Sequence, residues 1–432
     1  MGEFNVSRRR FLAGAAGAAG MAAMGPFAAR GIGAGENAVG ERLVPPGKLA
    51  VQHFSIRDAI TRRSIASSKA AGLTPAMGYL GGPDFPQDPS DLGDLVPLPG
   101  GFIEVFEFLA GVGYRGFEFF QYTQNVNELG RQPTHAEIRS YLDAAGLRSV
   151  GTHTGGIAQM VDPALRAAQI TIAQTLGHTM IGTAGDPSNQ PTLADSATGT
   201  RGWQRAADEY DTIGAALAAE GIRYYLHPEQ NTFNTITDVP GSGPVHRLDW
   251  FADNTDPSLV FFEPDLLHMY AGRARFPING ALFDAIGWLE RNEKRLVAWH
   301  AKDGSRLSPP PAAGVNPFTQ TTLRPPVFTG TPANNVDTIY SLEGSLSQGY
   351  PVDPDPAVIG WKRTFGEMGA KGEHFVIVES DSGPGPASDP GRSLRHAKIS
   401  AQNLLGFRAG VTRRTSTVAD EAVYESDPEF AG

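Results

Sequence analysis

The chain has 432 residues, a formal net charge of −10 at pH 7 and a hydrophobic fraction of 41%. These values are typical of a globular protein with a large buried core. The chain has no cysteine, which excludes disulfides, thiolate metal sites and cysteine nucleophiles. No run rich in Lys and Arg follows the first residues, so nucleic acid is not an expected partner of this acidic chain.

The N-terminal segment has the pattern of an export signal. Ser7-Arg-Arg-Arg-Phe-Leu12 precedes a small, apolar run that reaches about Ala29, and this order resembles the twin-arginine signal. We predict a signal peptide over residues 1–30 and a periplasmic or extracellular location. A basic, disordered N-terminus is the alternative. The run is rich in Gly and Ala and too weakly hydrophobic to predict a stable membrane anchor.

After this leader, short β-type runs alternate with longer stretches of helical period. The predicted strands are, in order, Lys48–Ile56, Gly116–Phe120, Arg148–Thr154, His178–Thr183, Arg223–Glu229, Leu259–Leu266, Leu296–Lys302 and His374–Ser380. The predicted helices are Phe102–Ala110, Thr134–Ala145, Ala164–Leu176, Gly202–Glu220, Gly280–Arg291, Val358–Met368 and Gly391–Leu405. This alternation predicts an α/β fold, a (β/α)₈ TIM barrel over residues 45–410 with a C-terminal tail over 411–432. An open doubly wound sheet is the alternative, but no glycine-rich phosphate loop follows the first strand.

Two long insertions depart from a minimal barrel. One is Arg62–Pro99, after the first strand, and the other is Gly304–Pro356, after the seventh. Both follow a strand, so both are expected on the C-terminal face, where barrel active sites lie. They could form a lid or a binding rim, and a passive surface loop is the alternative.

Polar side chains stand where the predicted strands end. The last four strands carry His227 and Glu229, Glu263 and Asp265, His300 and Lys302, and Glu379. Other polar residues near strand ends are Gln52, His53, Glu118, Gln121, His153, His268, Asp303 and Asp381. Buried groups of these types cost several kcal/mol unless they are paired or bound to a metal. Since strand ends converge in a barrel, we predict a shared polar site.

The residue types at these ends favour a divalent metal. Side chains alternate across a strand, so the two residues of each pair share a face. We predict Glu229, Asp265, His300 and Glu379 as ligands, with His227 and Glu263 as alternatives if a register shifts by two. An oxygen-rich site without sulfur suits Mn²⁺ best, and Mg²⁺, Co²⁺ or Zn²⁺ are alternatives.

At these residues the chain resembles the sugar phosphate isomerase/epimerase group of the xylose-isomerase-like barrel superfamily. The segments that carry the resemblance are Val51–Arg57, Gly113–Glu118, Ala145–His153, Asp256–Val260 and His300–Asp303. The resemblance implies that Glu229 and Glu379 bind the metal and exchange a proton with the substrate, while Asp265 and His300 complete the metal site. The spacing of Asp265-Leu-Leu-His268 implies that His268 contacts substrate oxygens. Strand five has His227-Pro-Glu229 where many exported relatives have His-Asn-His, so the sequence leaves open which residue meets the metal.

The implied function is a metal-dependent isomerase or epimerase of a sugar or keto sugar. Glu229 and Glu379 are the candidate catalytic bases, and His153, His227, His268 and Lys302 are candidate substrate contacts. The first alternative is a metal-dependent lyase or dehydratase of 3-keto glycosides or inososes, which begins with the same proton abstraction. A non-catalytic carbohydrate-binding barrel is the alternative from another class. The sequence leaves open whether copies of the chain form a homo-oligomer.

Overall fold

A computed structural model describes residues 44, 47–81, 92–120, 129–154, 156–185, 187, 199–304, 336–337, 374–380, 384–385 and 387–405. The predicted leader, the C-terminal tail, the predicted helix Val358–Met368 and most of the insertion Gly304–Pro356 lie outside these residues, as do Gln121 and Asp381. Among the helices that are described, none is long and apolar enough to cross a membrane.

Eight parallel strands form the central sheet. They are β1 (Leu49–Gln52), β2 (Gly116–Phe120), β3 (Arg148–Thr154), β4 (Met180–Ala184), β5 (Arg223–His227), β6 (Val260–Phe262), β7 (Ala298–Ala301) and β8 (Phe375–Val378). Neighbouring strands follow the order β6-β5-β4-β3-β2-β1-β8-β7. Backbone hydrogen bonds from Val297 to Phe262 (3.0 Å) and from His300 to Pro264 (2.9 Å) join β7 back to β6. The predicted (β/α)₈ barrel is therefore confirmed.

Helices follow the strands on the outside of the barrel. The described helices are Arg57–Thr61, Ile65–Ala70, Gly101–Val112, His135–Ala145, Ala158–Val161, Pro163–Leu176, Thr200–Ala218, Arg247–Asp253, Leu266–Arg275, Ala285–Arg291 and Arg392–Leu404. Their ends carry the expected signals: Thr134 forms a capping box with Glu137, and Gly146 ends that helix at φ 72°.

The sixth strand is shorter than the sequence pattern predicts. The apolar run Leu259–Leu266 predicts one strand, yet β6 ends at Phe262 and a helix begins at Leu266. Pro264 lacks a backbone N–H, and the Asp265 side chain accepts the N–H of His268 as a helix N-cap. These two residues convert the end of the run from strand to helix, which places Asp265 at the mouth of the barrel.

The core has two parts. The larger part lies between the sheet and the helices and includes the fully buried Trp203, Trp288 and Trp299. The smaller part fills the barrel below the polar site and consists of Ala50, Val150, Met180, Tyr225, Val297, Ala298 and Ile377. Gly182 faces this interior, where a Cβ would come within 2.0 Å of the Tyr225 ring. The glycine therefore makes room for the tyrosine inside the barrel.

The described part of the first insertion packs beside the last helix. It contains the helix Ile65–Ala70 and a hairpin of Met77–Tyr79 with Leu95–Pro97. The Arg395 guanidinium pairs with the buried Asp389 carboxylate (2.6 Å) and donates to the Tyr79 carbonyl. Lys398 also donates to the Leu80 carbonyl. These contacts tie the insertion to the element that follows β8.

Candidate functional site

Four side chains converge at the C-terminal ends of consecutive strands. His227 is the last residue of β5, Asp265 caps the helix after β6, His300 lies in β7, and Glu379 follows β8. All four are buried, and Glu379 is the most exposed of them at 7%. One potential ligand atom from each residue lies within 4.8 Å of the other three. The cluster is therefore compact enough for a single ion.

The separations of the donor atoms suit ligands of one ion. His300 Nδ1 lies 2.9 Å from Glu379 Oε2, and His227 Nε2 lies 3.5 Å from Asp265 Oδ2. Two ligand atoms bonded at about 2.1 Å and subtending a right angle stand about 3 Å apart. Two imidazoles and two carboxylates form a donor set that Mn²⁺, Co²⁺ and Zn²⁺ accept.

Several buried polar atoms of the cluster have no hydrogen bond. Among the described residues, neither ring nitrogen of His227 has a hydrogen-bond partner, and neither does Asp265 Oδ2. Buried polar atoms are normally paired, since leaving one unpaired costs about 1–3 kcal/mol. A cation held between these atoms would satisfy them, so the residues present fit a divalent metal.

Two further polar side chains border the cluster. Lys302 Nζ lies 2.9 Å from Glu379 Oε2 and 3.4 Å from Asp265 Oδ2. The same ammonium lies 3.3 Å from Nε2 of His268, which is on the first turn of the helix after β6. Lys302 and His268 thus bring nitrogen atoms to the edge of the cluster.

Charge pairing sets the protonation of these groups. Burial raises the pKa of Glu379, but the positive charges of Lys302 and His300 outweigh it and hold that pKa well below its ordinary range. The pKa of Asp265 is likewise lowered, because Lys302 and His268 outweigh the effect of burial. Burial lowers the pKa of His300, yet the charges of Glu263, Glu379 and Glu118 raise it well above the ordinary value. The carboxylates are therefore ionised at neutral pH.

Glu229, a predicted ligand and base, takes a different position from the four clustered residues. It lies two residues beyond the end of β5, is half-buried, and is absent from the compact groups found among the described residues. Its carboxylate leans toward Gly185 at the end of β4, with Oε2 3.8 Å from where a Cβ of that glycine would stand. His227, the alternative ligand of strand five, occupies the clustered position.

A second polar layer lies beneath the cluster, inside the barrel. His153, a predicted substrate contact, has its Nε2 2.6 Å from Glu263 Oε2. The Nε2 of His300 lies 2.9 Å from Glu118 Oε2. The Tyr225 hydroxyl donates to Glu118 Oε1 at 2.7 Å. The sequence places Glu118 among the polar residues near strand ends but assigns it no specific role, and it assigns none to Tyr225. A carboxylate amid the aromatic residues of β2 is itself a signal of a buried polar partner.

Polar residues at the end of β1 have local structural partners. The Gln52 side chain accepts the backbone N–H of Phe54 and caps a short 3₁₀ turn. His53 Nδ1 lies 2.9 Å from the Phe120 carbonyl, and burial lowers the pKa of His53 to about 4. His53 therefore connects the end of β1 to β2 at the barrel mouth, whereas Gln52 stabilises only the turn that follows β1.

Fold and site together define a (β/α)₈ barrel with a buried imidazole and carboxylate cluster at the C-terminal ends of its strands. The sequence profile described as xylose isomerase-like TIM barrel matches residues 106–399. The chain belongs to the xylose isomerase-like TIM barrel family. No curated protein matched the chain in a sequence search.

Solved structures with a similar fold share little sequence with the chain. A sugar phosphate isomerase/epimerase from Parabacteroides distasonis is 16% identical, with 84% of this chain and 94% of that chain covered and a TM-score of 0.49. A probable 3-DHS dehydratase from Bacillus anthracis is 14% identical over 82% and 97% of the two chains, with a TM-score of 0.45. The IOLI protein with a bound zinc atom is 10% identical over 83% and 95%, with a TM-score of 0.45.

Proposed function

We propose that the protein is a divalent-metal-dependent isomerase or epimerase of a sugar or keto sugar. One observation carries the proposal: four buried donor groups converge at the C-terminal barrel face, and among the described residues both ring nitrogens of His227 and Oδ2 of Asp265 lack hydrogen bonds there. Active sites of such barrels lie at this face. Membership of the xylose isomerase-like TIM barrel family supports the same function.

His227, Asp265, His300 and Glu379 would hold the ion. A divalent cation there would polarise a substrate carbonyl and stabilise negative charge that develops on its oxygen. Two imidazoles and two carboxylates suit Mn²⁺, Co²⁺ and Zn²⁺. His227 thus takes the strand-five position in the proposed ligand set.

The surrounding residues supply proton transfer and orientation. Glu229 is outside the ligand cluster, so its carboxylate is available to remove a proton from the carbon next to a carbonyl. The C–H bond breaks, its proton passes to Glu229, and the electron pair moves to the carbonyl oxygen. Glu379 is the candidate group that exchanges the proton on the other face. Lys302 and His268 lie where they can donate to the substrate hydroxyls and hold the sugar in place.

Metal content tests the ligand assignment. We expect the purified protein to contain about one divalent ion per chain by elemental analysis, and chelation to abolish activity. His300→Ala and Glu379→Gln should each lose the ion while circular dichroism stays unchanged. Full activity in metal-free protein would contradict the proposal.

Solvent exchange tests the chemistry. In heavy water, a keto-sugar substrate should gain deuterium at the carbon next to its carbonyl, because the protonated base can exchange with solvent before it returns its proton. An isomerase or epimerase places deuterium in the product, whereas a lyase or dehydratase gives an unsaturated or smaller product. A bound sugar that neither reacts nor exchanges would favour the non-catalytic carbohydrate-binding barrel.

A further inference from the structure

The floor of the candidate metal site is a buried layer of four side chains, Glu118, His153, Tyr225 and Glu263. They come from β2, β3, β5 and the residue after β6, and each is at most 2% exposed. His300 joins this floor layer to the metal cluster above it. Its Nδ1 faces Glu379, and its Nε2 faces the floor layer.

Both carboxylates of the floor layer are directed at one ring nitrogen of His300. Nε2 lies 2.9 Å from Glu118 Oε2 and 3.2 Å from Glu263 Oε2. A carboxylate that is ionised only accepts hydrogen bonds, so Nε2 must carry a proton to satisfy either oxygen. A neutral imidazole protonated at Nε2 has its lone pair on Nδ1. Nδ1 lies 2.9 Å from Glu379 Oε2, so by the same rule it carries a proton while no ion is bound. When an ion displaces that proton, the floor layer keeps the other one on Nε2 and so favours the tautomer that binds an ion from above.

The floor layer could instead form a second metal site with His300, since its three acidic and imidazole side chains and His300 are also compact. The distances between its polar atoms argue against a second metal site. His153 Nε2 and Glu263 Oε2 are 2.6 Å apart, which is shorter than the roughly 3 Å between two ligand atoms at right angles on one ion with bonds of about 2.1 Å. Such a separation is normal for a charge-assisted hydrogen bond.

The hydrogen bonds also argue against an ion in the floor layer. Both oxygens of Glu118 are bonded, one to Tyr225 and one to His300. Among the described residues, Glu263 Oε1 is the one buried polar side-chain atom of the floor layer without a hydrogen bond. In the upper cluster, both ring nitrogens of His227 and Oδ2 of Asp265 lack one. The floor layer is nearly satisfied by its own hydrogen bonds, so an ion is required only above it.

We propose that Glu118 and Glu263 are positioning residues that fix His300 with Nε2 protonated and Nδ1 free to bind the metal ion. This inference rests on the proposed metal site of His227, Asp265, His300 and Glu379. Histidine ligands are commonly held by such carboxylates, and loss of one costs about 10–100-fold in metal affinity. Tyr225 orients Glu118 in turn, and it fits beside that carboxylate because residue 182 is glycine.

Glu118→Gln tests the proposal because the amide keeps the shape of the side chain but has one acceptor end. It can accept from Tyr225 or from His300, not from both in the present arrangement. We expect the variant to bind Zn²⁺ or Co²⁺ about 10–100-fold more weakly by competition titration. Glu263→Gln should act in the same direction. Glu104→Gln is the matched control, because its carboxylate accepts backbone N–H groups of Ile65 and Ala66 away from the site.

The second measurement observes the tautomer of His300 directly. In zinc-loaded protein with ¹⁵N-labelled histidine, the His300 signals should show a protonated Nε2 and a metal-bound Nδ1. They are assigned by their loss in a His300→Gln variant. Glu118→Gln should weaken or shift the Nε2–H signal. If Glu118→Gln does not fold, Tyr225→Phe removes the neighbouring hydroxyl and should shift the same signal with a smaller loss of affinity.

The outcomes separate this inference from the proposed function. A wild-type protein that binds no divalent ion would overturn both. A wild-type protein that binds one ion, with affinity and Nε2 protonation unchanged in Glu118→Gln and Glu263→Gln, would overturn the positioning role alone. Two tightly bound ions per chain, with the second lost in Glu118→Gln, would show that Nε2 is a ligand and would also overturn it.

Discussion

The proposed function gives different roles to His227 and Glu229 at the end of strand five. His227 is the last residue of β5 and is buried against His300, with their ring centroids 4.4 Å apart. Glu229 lies beyond the strand end and is half-buried. A ligand has to be held in the cluster, whereas a base has to reach the substrate. For this reason the proposed function gives metal binding to His227 and proton transfer to Glu229.

Substitutions at the two positions should have separable effects. His227→Ala should lose metal affinity, because it removes one of four donors. Glu229→Gln should keep the ion but lose activity by about 10² or more, as is common when a positioned acid or base is removed. Metal titration and steady-state rates on the two variants check this. Loss of metal in Glu229→Gln, with retention in His227→Ala, would reverse the assignment.

The helix Leu266–Arg275 shows how one element positions a ligand. Asp265 is its N-cap, and Oδ1 accepts the N–H of His268 at 2.8 Å. That hydrogen bond fixes the carboxylate, so Oδ2 faces His227 and Lys302. It also explains the Asp-x-x-His spacing, since the residue three positions after an N-cap donates to it and lies on the first turn. In the proposed metal site, Asp265 is thus both the cap of this helix and a ligand.

Two substitutions at Asp265 separate these functions. Asp265→Asn keeps a good capping group, whereas Asp265→Ala does not. We expect both variants to lose tight metal binding. In the presence of a chelator, the alanine variant should have a free energy of unfolding about 1 kcal/mol lower than the asparagine variant, the usual loss for a removed cap. Equal stability of the two metal-free variants in urea titrations would contradict the capping role.

Strand pairing in the barrel is least regular where the candidate site lies. β4 and β5 pair continuously from Met180 opposite Arg223 to Ala184 opposite His227. Between β6 and β7, the described residues form isolated bridges, Phe262 opposite Leu296 and Asp265 opposite His300. An ion held by Asp265 and His300 would link the two sides of this seam. Metal binding and barrel closure are therefore expected to be coupled.

Hydrogen exchange can measure that coupling. If the seam opens only after the ion leaves, free metal at 100 times its dissociation constant should slow exchange there by about 100-fold. We expect this slowing in peptides that cover residues 260–266 and 296–301. The exposed ends of the helix His135–Ala145 serve as the control and should change little. Equal exchange at the seam with and without metal would show that closure is independent of the ion.

The sequence by itself determined the barrel and most of the polar residues at its mouth. Alternating strand and helix patterns are local, so β2 and β3 have the predicted bounds, Gly116–Phe120 and Arg148–Thr154. His300 and Glu379 could be chosen as site residues because they end apolar runs, and burial of such groups requires a partner. These inferences depend only on neighbours along the chain.

Only the tertiary structure decided which groups meet. Strand five offers two residues on one face, and the strand ends at His227, so Glu229 lies outside the cluster. Glu118 and His300 are 182 positions apart in the chain, yet a hydrogen bond joins them. The curvature and stagger of the closed sheet set such distances, and these properties arise from the packing of all eight strands together.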